Sequence, residues 1–255
     1  MKNHQHPQVS KVPAATAAFW LVKILATTVG EVGGNLLSMD WNLGYLEATA
    51  ILGGAFATLC LMQIHARRFH SGLYWATIIA STTAGTTLAD FTTRSIGLGY
   101  SGGSLLLLGL VLASLSGWKQ ATGGVSADQI TDRKTEAFYW ITITFSQTLG
   151  TALGDWFADT AGFGYGGSAV IFGAIMMALL ALHYARAFDR VILFWATFIL
   201  SRPLGAVIGN FFDKPLDHGG LAMSRPLIVV VISLAIIVAL AAIPQKAGHH
   251  RNTHG

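Results

Sequence analysis

The chain has 255 residues, of which 53% are hydrophobic and only 11% are charged, and its formal net charge is +4. Soluble domains carry roughly 25% charged residues, so the composition excludes a soluble globular protein and indicates an integral membrane protein. The basic residues are spread over short connections, so we expect no nucleic acid as a partner. The single cysteine, Cys60, excludes an intrachain disulfide.

Eight apolar segments follow one another along the chain. Each is long enough to cross a lipid bilayer as a helix, which takes ~20 residues. They lie near Pro13–Leu37, Tyr45–Ile64, Leu73–Phe91, Tyr100–Trp118, Ala137–Phe157, Tyr165–Leu182, Val191–Phe212 and Leu221–Ile243. We therefore predict an all-α membrane protein with eight transmembrane helices and no cleaved targeting segment. Residues 1–12 and 244–255 are predicted to be cytoplasmic tails.

A repeat divides the eight segments into four pairs. Its first segment has a tryptophan, a glycine ten residues later, a small residue fourteen later and asparagine or aspartate fifteen later. The tryptophans are Trp20, Trp75, Trp140 and Trp195, and the small residues are Gly30, Gly34, Gly85, Ala89, Gly150, Gly154, Gly205 and Gly209. Small residues four apart let helices approach closely in lipid. We expect the four first segments to pack together centrally, with the other four facing lipid and the tryptophans acting as interfacial anchors or packing wedges.

The repeats are predicted to be parallel, because two spans per repeat return the chain to the same side of the membrane. The tryptophans are separated by 55, 65 and 55 residues. The ten additional residues fall in a connection at 119–136, which predicts a cytoplasmic linker between two similar halves, 13–118 and 137–243. With both termini in the cytoplasm, eleven basic residues face inward and three, Arg94, Lys214 and Arg225, face outward, in agreement with the positive-inside rule.

A glycine followed by a tyrosine recurs after the Asn or Asp position in three repeats. The pairs are Gly44-Tyr45, Gly99-Tyr100 and Gly164-Tyr165. Glycine permits a tight reversal of the chain and tyrosine suits the interfacial aromatic belt. We therefore predict that these pairs form the outer turns between the two spans of a repeat.

Polar residues form a stripe along each first segment, at positions seven, eleven and fifteen after the tryptophan, which share one face of a helix. The stripe residues are Thr27, Glu31 and Asn35 in the first repeat, Thr82, Thr86 and Asp90 in the second, Gln147, Thr151 and Asp155 in the third, and Arg202, Ala206 and Asn210 in the fourth. Lys23 extends the first stripe by one turn. Because polar groups are costly in a membrane, we expect the stripes to face one another and form a polar path.

This oxygen-rich path predicts an ion or proton site. Carboxylates, amides and hydroxyls are ligands for alkali ions, Mg²⁺, Ca²⁺ and Mn²⁺, and the lack of His and Cys in the stripes argues against zinc or copper. The predicted ion- or proton-binding residues are Glu31, Asp90, Asp155, Asn35, Asn210, Thr86 and Thr151, with Glu31, Asp90 and Asp155 as metal candidates and with Lys23 and Arg202 as counter-charges. The leading prediction is a secondary transporter of a small divalent cation, coupled to protons through the carboxylates.

Other interpretations are open at this stage. A passive channel or carrier of a small neutral or anionic solute would use Lys23 and Arg202 as its selective groups. A membrane scaffold would use the stripes for packing alone, with Asn35 and Asn210 as helix caps and with Asp155 and Arg202 as a fixed ion pair. An enzyme is not expected, because no hydrolase, phosphate-loop or zinc-protease motif is present. No cofactor is implied, and a homo-oligomer is compatible with the sequence.

Several short motifs resemble those of a known family. They are Ala18-Phe19-Trp20, Leu73-Tyr74-Trp75, Phe138-Tyr139-Trp140 and Phe194-Trp195, with Thr28-Val29-Gly30-Glu31, Leu149-Gly150-Thr151, Gly154-Asp155 and Ser201-Arg202-Pro203-Leu204-Gly205. They are similar to a bacterial family of multi-pass inner-membrane proteins made of four tandem two-span repeats, catalogued as a repeat of unknown function. The resemblance runs from Lys11 to Ile243 and implies the architecture but no substrate. In addition, Glu31-Val32-Gly33-Gly34-Asn35 is similar to the Glu-x-Gly-Asp signature of cation/proton exchangers for calcium and manganese, with one residue more and Asn in place of Asp.

Overall fold

A computed structural model describes residues 9–127, 130 and 132–249, and this part of the chain contains eight long α-helices and two short strands. The helices are α1 (Ala17–Asn35), α2 (Gly44–His65), α3 (Ser71–Asp90), α4 (Gly99–Thr122), α5 (Arg133–Asp155), α6 (Gly164–Tyr184), α7 (Arg190–Asp213) and α8 (Arg225–Ala242), and the strands are β1 (Val9–Pro13) and β2 (Ala247–His249). The outer parts of the predicted tails, 1–8 and 250–255, lie outside the described residues. The all-helical fold is confirmed.

The inner parts of the two predicted tails pair with each other. Strand β1 is antiparallel to β2. The backbone nitrogen of Lys11 in β1 donates to the carbonyl of Ile130, 3.1 Å away. The Lys11 ammonium forms an ion pair with Glu136 at the start of α5, with 2.8 Å between Nζ and Oε2. Strand β1 is therefore anchored to the central connection and to the start of α5, and β2 is held there through β1.

The central connection is shorter than the predicted linker 119–136, because both flanking helices extend into it. Helix α4 continues to Thr122 and ends at Gly123, whose φ of 82° suits a glycine. Helix α5 begins at Arg133, because the Asp132 carboxylate caps it by accepting from the backbone nitrogens of Lys134 and Thr135. The connection between α4 and α5 is therefore 123–132.

The four tryptophan-bearing helices form a closed ring, as predicted. Helix α1 packs on α3, α3 on α5, α5 on α7, and α7 on α1. Each remaining helix lies outside the ring and packs on the first helix of the following repeat: α2 on α3, α4 on α5, α6 on α7, and α8 on α1. The contact between α3 and α5 joins the two predicted halves in the same way that the other contacts join neighbouring repeats.

Glycines bring the ring helices close together. In every repeat the glycine ten residues after the tryptophan lies against the stripe residue at position seven of the next ring helix. These pairs are Gly30 with Thr82, Gly85 with Gln147, Gly150 with Arg202 and Gly205 with Thr27. Because equivalent positions meet at all four interfaces, the ring helices are parallel and lie at the same level.

The second small residue of each repeat packs one turn further along. Gly34 lies against Thr86, Gly154 against Ala206, and Gly209 against Glu31. Each partner occupies stripe position eleven of the following repeat. Ala89, which stands at the equivalent place in the second repeat, is also buried. The small residues therefore line all four interfaces of the ring.

Among the described residues, six helical segments are long and apolar enough to cross a membrane. They are Ala17–Asp40, α2, α4, α6, α7 and α8. Helices α3 and α5 are too polar to qualify, because they carry residues such as Ser81-Thr82-Thr83 and Ser146-Gln147-Thr148, which are buried against neighbouring helices. The outer helices expose large apolar side chains such as Leu105, Val170 and Val238, which is typical of a lipid-facing surface. These helices indicate a membrane protein with six apolar candidate spans, where the sequence predicts eight.

The turns between the two helices of a repeat are alike in three of the four repeats. Helices α1, α3 and α5 each continue into a π-helix of five residues, Leu36–Asp40, Phe91–Ser95 and Trp156–Thr160. The glycines that begin the next helices, Gly44, Gly99 and Gly164, have φ values of 74°, 67° and 63°. The predicted tight reversal at glycine is therefore confirmed. The fourth repeat differs, because α7 continues to Asp213 and a short 3₁₀ helix, Leu216–His218, follows.

The close contacts in the ring predict that Gly150→Ala lowers stability. A Cβ at position 150 would lie 2.1 Å from Arg202 Cγ and 2.5 Å from Arg202 Cβ, and crowding of this kind costs roughly 1–3 kcal/mol. Thermal unfolding in detergent should show a lower midpoint. The control is Gly109→Ala in α4, where the added Cβ would lie within 4 Å of no described atom beyond its chain neighbours and the nearby backbone of its own helix. Equal midpoints for the two variants would contradict the close packing.

Candidate functional site

Aromatic side chains close one end of the ring. The residues that precede the tryptophans, Phe19, Tyr74, Tyr139 and Phe194, are buried there, and the Tyr74 and Tyr139 hydroxyls lie 2.6 Å apart. Each contacts the tryptophan of the next repeat, with ring centroids 5.4 Å apart for Phe19 and Trp75, 5.9 Å for Tyr74 and Trp140, 6.1 Å for Tyr139 and Trp195, and 5.8 Å for Phe194 and Trp20. We call these eight side chains the aromatic layer. The tryptophans are buried packing residues, which is one of their two predicted roles.

An ion pair between Glu31 and Arg202 lies at the centre of the ring. Arg202 Nη2 is 2.9 Å from Glu31 Oε2, and the two side chains are 0% and 2% exposed. The Thr86 and Thr151 hydroxyls lie 2.7 and 2.6 Å from Arg202 Nη2, and 3.3 and 3.2 Å from Glu31 Oε2. Each hydroxyl can therefore accept from the guanidinium and donate to the carboxylate. All four ring helices contribute one group to this cluster.

Arg202 does not pair with Asp155, in contrast to the scaffold interpretation. Its side chain starts at stripe position seven and reaches one turn along the axis, which brings the guanidinium to the level of Glu31. Asp155 stands one turn further and is held by other partners. The ion pair therefore joins the first and fourth repeats rather than the third and fourth.

The residues at stripe position fifteen form the next layer, and all four are buried: Asn35, Asp90, Asp155 and Asn210. Asn35 Nδ2 donates to Asn210 Oδ1 over 3.1 Å. Asn210 Nδ2 donates to Glu31 Oε1 and to Asp155 Oδ1, over 3.2 Å in each case. The scaffold interpretation expected the two asparagines to cap helices. Instead, their side chains bond to each other and to Glu31 and Asp155.

Arg94 covers this layer from the end of the ring opposite the aromatic layer. Its Nε lies 3.0 Å from Asp90 Oδ1 and its Nη2 lies 3.4 Å from Asp155 Oδ2. The Arg94 side chain is 33% exposed, whereas both carboxylates are 3% exposed. The Tyr45 hydroxyl lies 3.4 Å from Arg94 Nη1, and the Tyr100 ring centroid lies 5.7 Å from Arg94 Cζ. Two tyrosines that are predicted for the interfacial belt, Tyr45 and Tyr100, thus lie beside the Arg94 guanidinium.

Arg94 is predicted from the sequence only as one of the basic residues on the outer side, and its contact with Asp90 and Asp155 is not predicted. Arg94 lies beyond the apolar segment, where no stripe position points to it. One signal was present, because Asp90 and Arg94 are four residues apart and an opposite-charge pair at this spacing is close on a helix. The second carboxylate, Asp155, belongs to another repeat and has no such signal.

Lys23 and Gln147 are buried between the ion pair and the aromatic layer. Lys23 Nζ lies 4.2 Å from the centroid of the Phe198 ring, and no acceptor from the described residues bonds to it. The Gln147 amide and the Nε and Nη1 atoms of Arg202 are also without hydrogen-bond partners in the described part of the chain. Lys23 therefore does not neutralise a carboxylate, because Arg202 lies between it and Glu31 along the axis.

The predicted metal candidates do not meet in one cluster. Glu31 contacts Arg202, whereas Asp90 and Asp155 share Arg94. Within residues 9–127, 130 and 132–249, no three His, Cys, Asp or Glu side chains are placed to hold a metal ion. The predicted ligands Thr86, Thr151, Asn35 and Asn210 do lie within the network that links these carboxylates. Glu31 therefore already has one internal cation, whereas Asp90 and Asp155 share another.

Comparison with protein families gives a match over most of the chain. The family described as "Repeat of Unknown Function (DUF347)" matches residues 18–69, 73–123, 138–188 and 193–244. Each matched segment covers most of one ring helix and the outer helix that follows it. Comparisons with curated proteins and with solved structures give no match.

The buried ion pair predicts that Glu31→Gln and Arg202→Gln each lower stability, because each leaves one charge buried without its partner, at a cost of roughly 3–5 kcal/mol. The double variant should lose less than the sum of the two, because no uncompensated charge is left in the pair. Thermal unfolding of the four proteins in detergent measures this coupling. Arg68→Gln, at an exposed arginine, is the control and should match the wild type. Additive losses would contradict a direct interaction.

Proposed function

The chain belongs to the DUF347 family of tandem repeats, and for this member we propose secondary transport of a small divalent cation through the helix ring, coupled to protons. Glu31, Asp90 and Asp155 are the proposed ion and proton sites. One observation carries the proposal: the guanidinium of Arg94 lies between two buried carboxylates on neighbouring helices. A guanidinium in this position marks a place where the bundle stabilises positive charge. A cation that displaces Arg94 would meet the same two carboxylates.

The charge and chemistry of the outer layer favour a divalent ion. Without Arg94, Asp90 and Asp155 carry two negative charges, which one divalent cation balances. The side-chain oxygens of Asn35 and Asn210 lie in the same layer, and Mg²⁺, Ca²⁺ and Mn²⁺ prefer such carboxylate and carbonyl ligands.

Arg94 can act as an internal substitute for the transported ion. Its side chain is 33% exposed, so the guanidinium can move toward solvent without passing through the ring. When the ion leaves, the guanidinium can return to Asp90 and Asp155. Arg94 then offsets one of the two negative charges, which matters because an isolated charge in an apolar interior is very costly.

Protons provide a second way to compensate the carboxylates. The hydrogen-bonded contacts run from Arg94 through Asp155 and Asn210 to Glu31 and Arg202. A change of charge at one carboxylate therefore changes the hydrogen bonds of the groups that also bond to the next carboxylate. A carboxylate that has lost its cation in an apolar interior is neutralised most readily by a proton. This linkage supports exchange of the cation for protons.

We place all eight helices across a bacterial inner membrane, with both chain ends in the cytoplasm. Helices α3 and α5 are polar, but their ring neighbours and the outer helices α2 and α4 cover them. Their polar faces therefore need not meet lipid. In this orientation the aromatic layer is the cytoplasmic barrier and Arg94 is the outer one, and a carrier needs a barrier on each side of its site.

Proteoliposomes should accumulate Mn²⁺, Ca²⁺ or Mg²⁺ under an imposed pH gradient, and Asp90→Asn or Asp155→Asn should abolish most of this flux by removing one of the paired charges. Ion-sensitive dyes inside the vesicles report the flux. The control is Asp217→Asn, at an exposed carboxylate in the connection after α7, which should transport like the wild type. Wild-type flux in Asp155→Asn would refute the mechanism, and a wild type without flux would favour a scaffold.

Removal of the competing guanidinium should strengthen cation binding. We expect Arg94→Gln to bind Mn²⁺ about tenfold more tightly than the wild type, which corresponds to roughly 1.4 kcal/mol. Titration calorimetry on detergent-solubilised protein measures the affinity. Arg68→Gln again serves as the matched control and should not change it. Equal or weaker binding by Arg94→Gln would show that Arg94 does not occupy the cation position.

A further inference from the structure

The buried charges are unevenly distributed along the axis of the ring. Between the aromatic layer and Glu31, a region that we call the inner half, Lys23 and Arg202 are balanced by Glu31 alone. In the other half of the ring, which we call the outer half, Asp90 and Asp155 share Arg94 alone, which leaves one excess negative charge there when both are ionised. The inner half therefore carries one excess positive charge when Lys23 is protonated. Cation transport in the outer half does not account for this excess.

The inner half also contains hydrogen-bond donors without acceptors. Lys23 Nζ, Gln147 Nε2, and Nε and Nη1 of Arg202 are buried and unpartnered within the described part of the chain. All three side chains are 0% exposed. Buried polar groups in native proteins are nearly always hydrogen-bonded, and an unmade bond to such a group is costly. These donors lie on three helices of the ring, between the aromatic layer and Glu31, and donors with a net positive charge are suited to an anion.

The surroundings restrict the size of the ligand. Phe198, Ile78 and Ile143 occupy the same level as Lys23 on the other three ring helices, and all three are 0% exposed. The aromatic layer lies directly behind them. The Lys23 ammonium lies 4.2 Å from the centroid of the Phe198 ring, and no acceptor in the described part of the chain bonds to it. Large or multiply charged anions do not fit such a narrow, apolar-walled position.

We propose that Lys23, Gln147 and Arg202 form a binding site for one small monovalent anion, such as a halide, in the inner half of the ring. The anion accepts hydrogen bonds from the ammonium, the amide and the free guanidinium nitrogens. It balances the excess positive charge and reduces the repulsion between Lys23 and Arg202. The site is separate from the Arg94 cluster and does not depend on the proposed cation transport.

Thermal unfolding of the full-length protein in detergent tests the site, with chloride replaced by gluconate at constant ionic strength. Chloride should raise the unfolding midpoint in a saturable way, because a ligand that binds only the folded state stabilises it. Lys23→Met and Gln147→Leu should each remove this dependence. Lys23→Met is expected to fold, because it removes an unpaired buried charge and keeps an unbranched side chain. Lys119→Met, at an exposed lysine, is the matched control and should keep the chloride response.

Equal midpoints in chloride and gluconate for the wild type would overturn the proposal. A chloride response that persists in both Lys23→Met and Gln147→Leu would also overturn it, because the anion would then bind elsewhere. Cation flux measured in gluconate medium separates the two proposals. Flux without a chloride response would leave the transporter and remove the anion site, whereas a chloride response without flux would leave the anion site and remove the transporter.

Discussion

Hydrocarbon offers no hydrogen-bond partners, so a polar group inside a membrane must be satisfied by the protein itself. Each ring helix of this chain has a polar face that lipid would not solvate. When the four polar faces pack against one another, all of them are removed from contact with lipid. The glycines allow the helices to approach so closely that side chains of different repeats form hydrogen bonds. Arg202 shows both effects, because it packs against Gly150 and its guanidinium meets groups from the other three ring helices.

The helices, the four repeats and the convergence of the stripes could be predicted because they follow from local periodicity. The recurring Trp, Gly and Asn or Asp define the unit, and a spacing of four residues defines a helix face. The pairing of charges could not be predicted in this way. It depends on the order of the helices around the ring and on how far each side chain reaches, so that Arg202 meets Glu31 rather than Asp155.

Other features were missed because their signals are weak or lie outside the repeat. Arg94 lies in a π-helix just past the apolar segment, and this turn directs its side chain back over Asp90 and Asp155. The pairing of β1 with β2 joins two short polar segments at opposite ends of the chain. Helices α3 and α5 are more polar than a membrane span usually is, because protein rather than lipid covers much of their surface.

The packing of each outer helix on the following repeat makes the assembly circular, since α8 contacts α1. An open solenoid can gain or lose units at its ends, because each unit contacts only its neighbours. In this circular assembly every repeat has a neighbour on both sides. A fifth repeat could therefore be inserted only if the angle between the helices changed at all the ring interfaces. For the same reason the starting repeat is arbitrary: a circularly permuted chain, with the ends joined beyond β1 and β2 and a new opening at an outer turn, would retain all four ring interfaces.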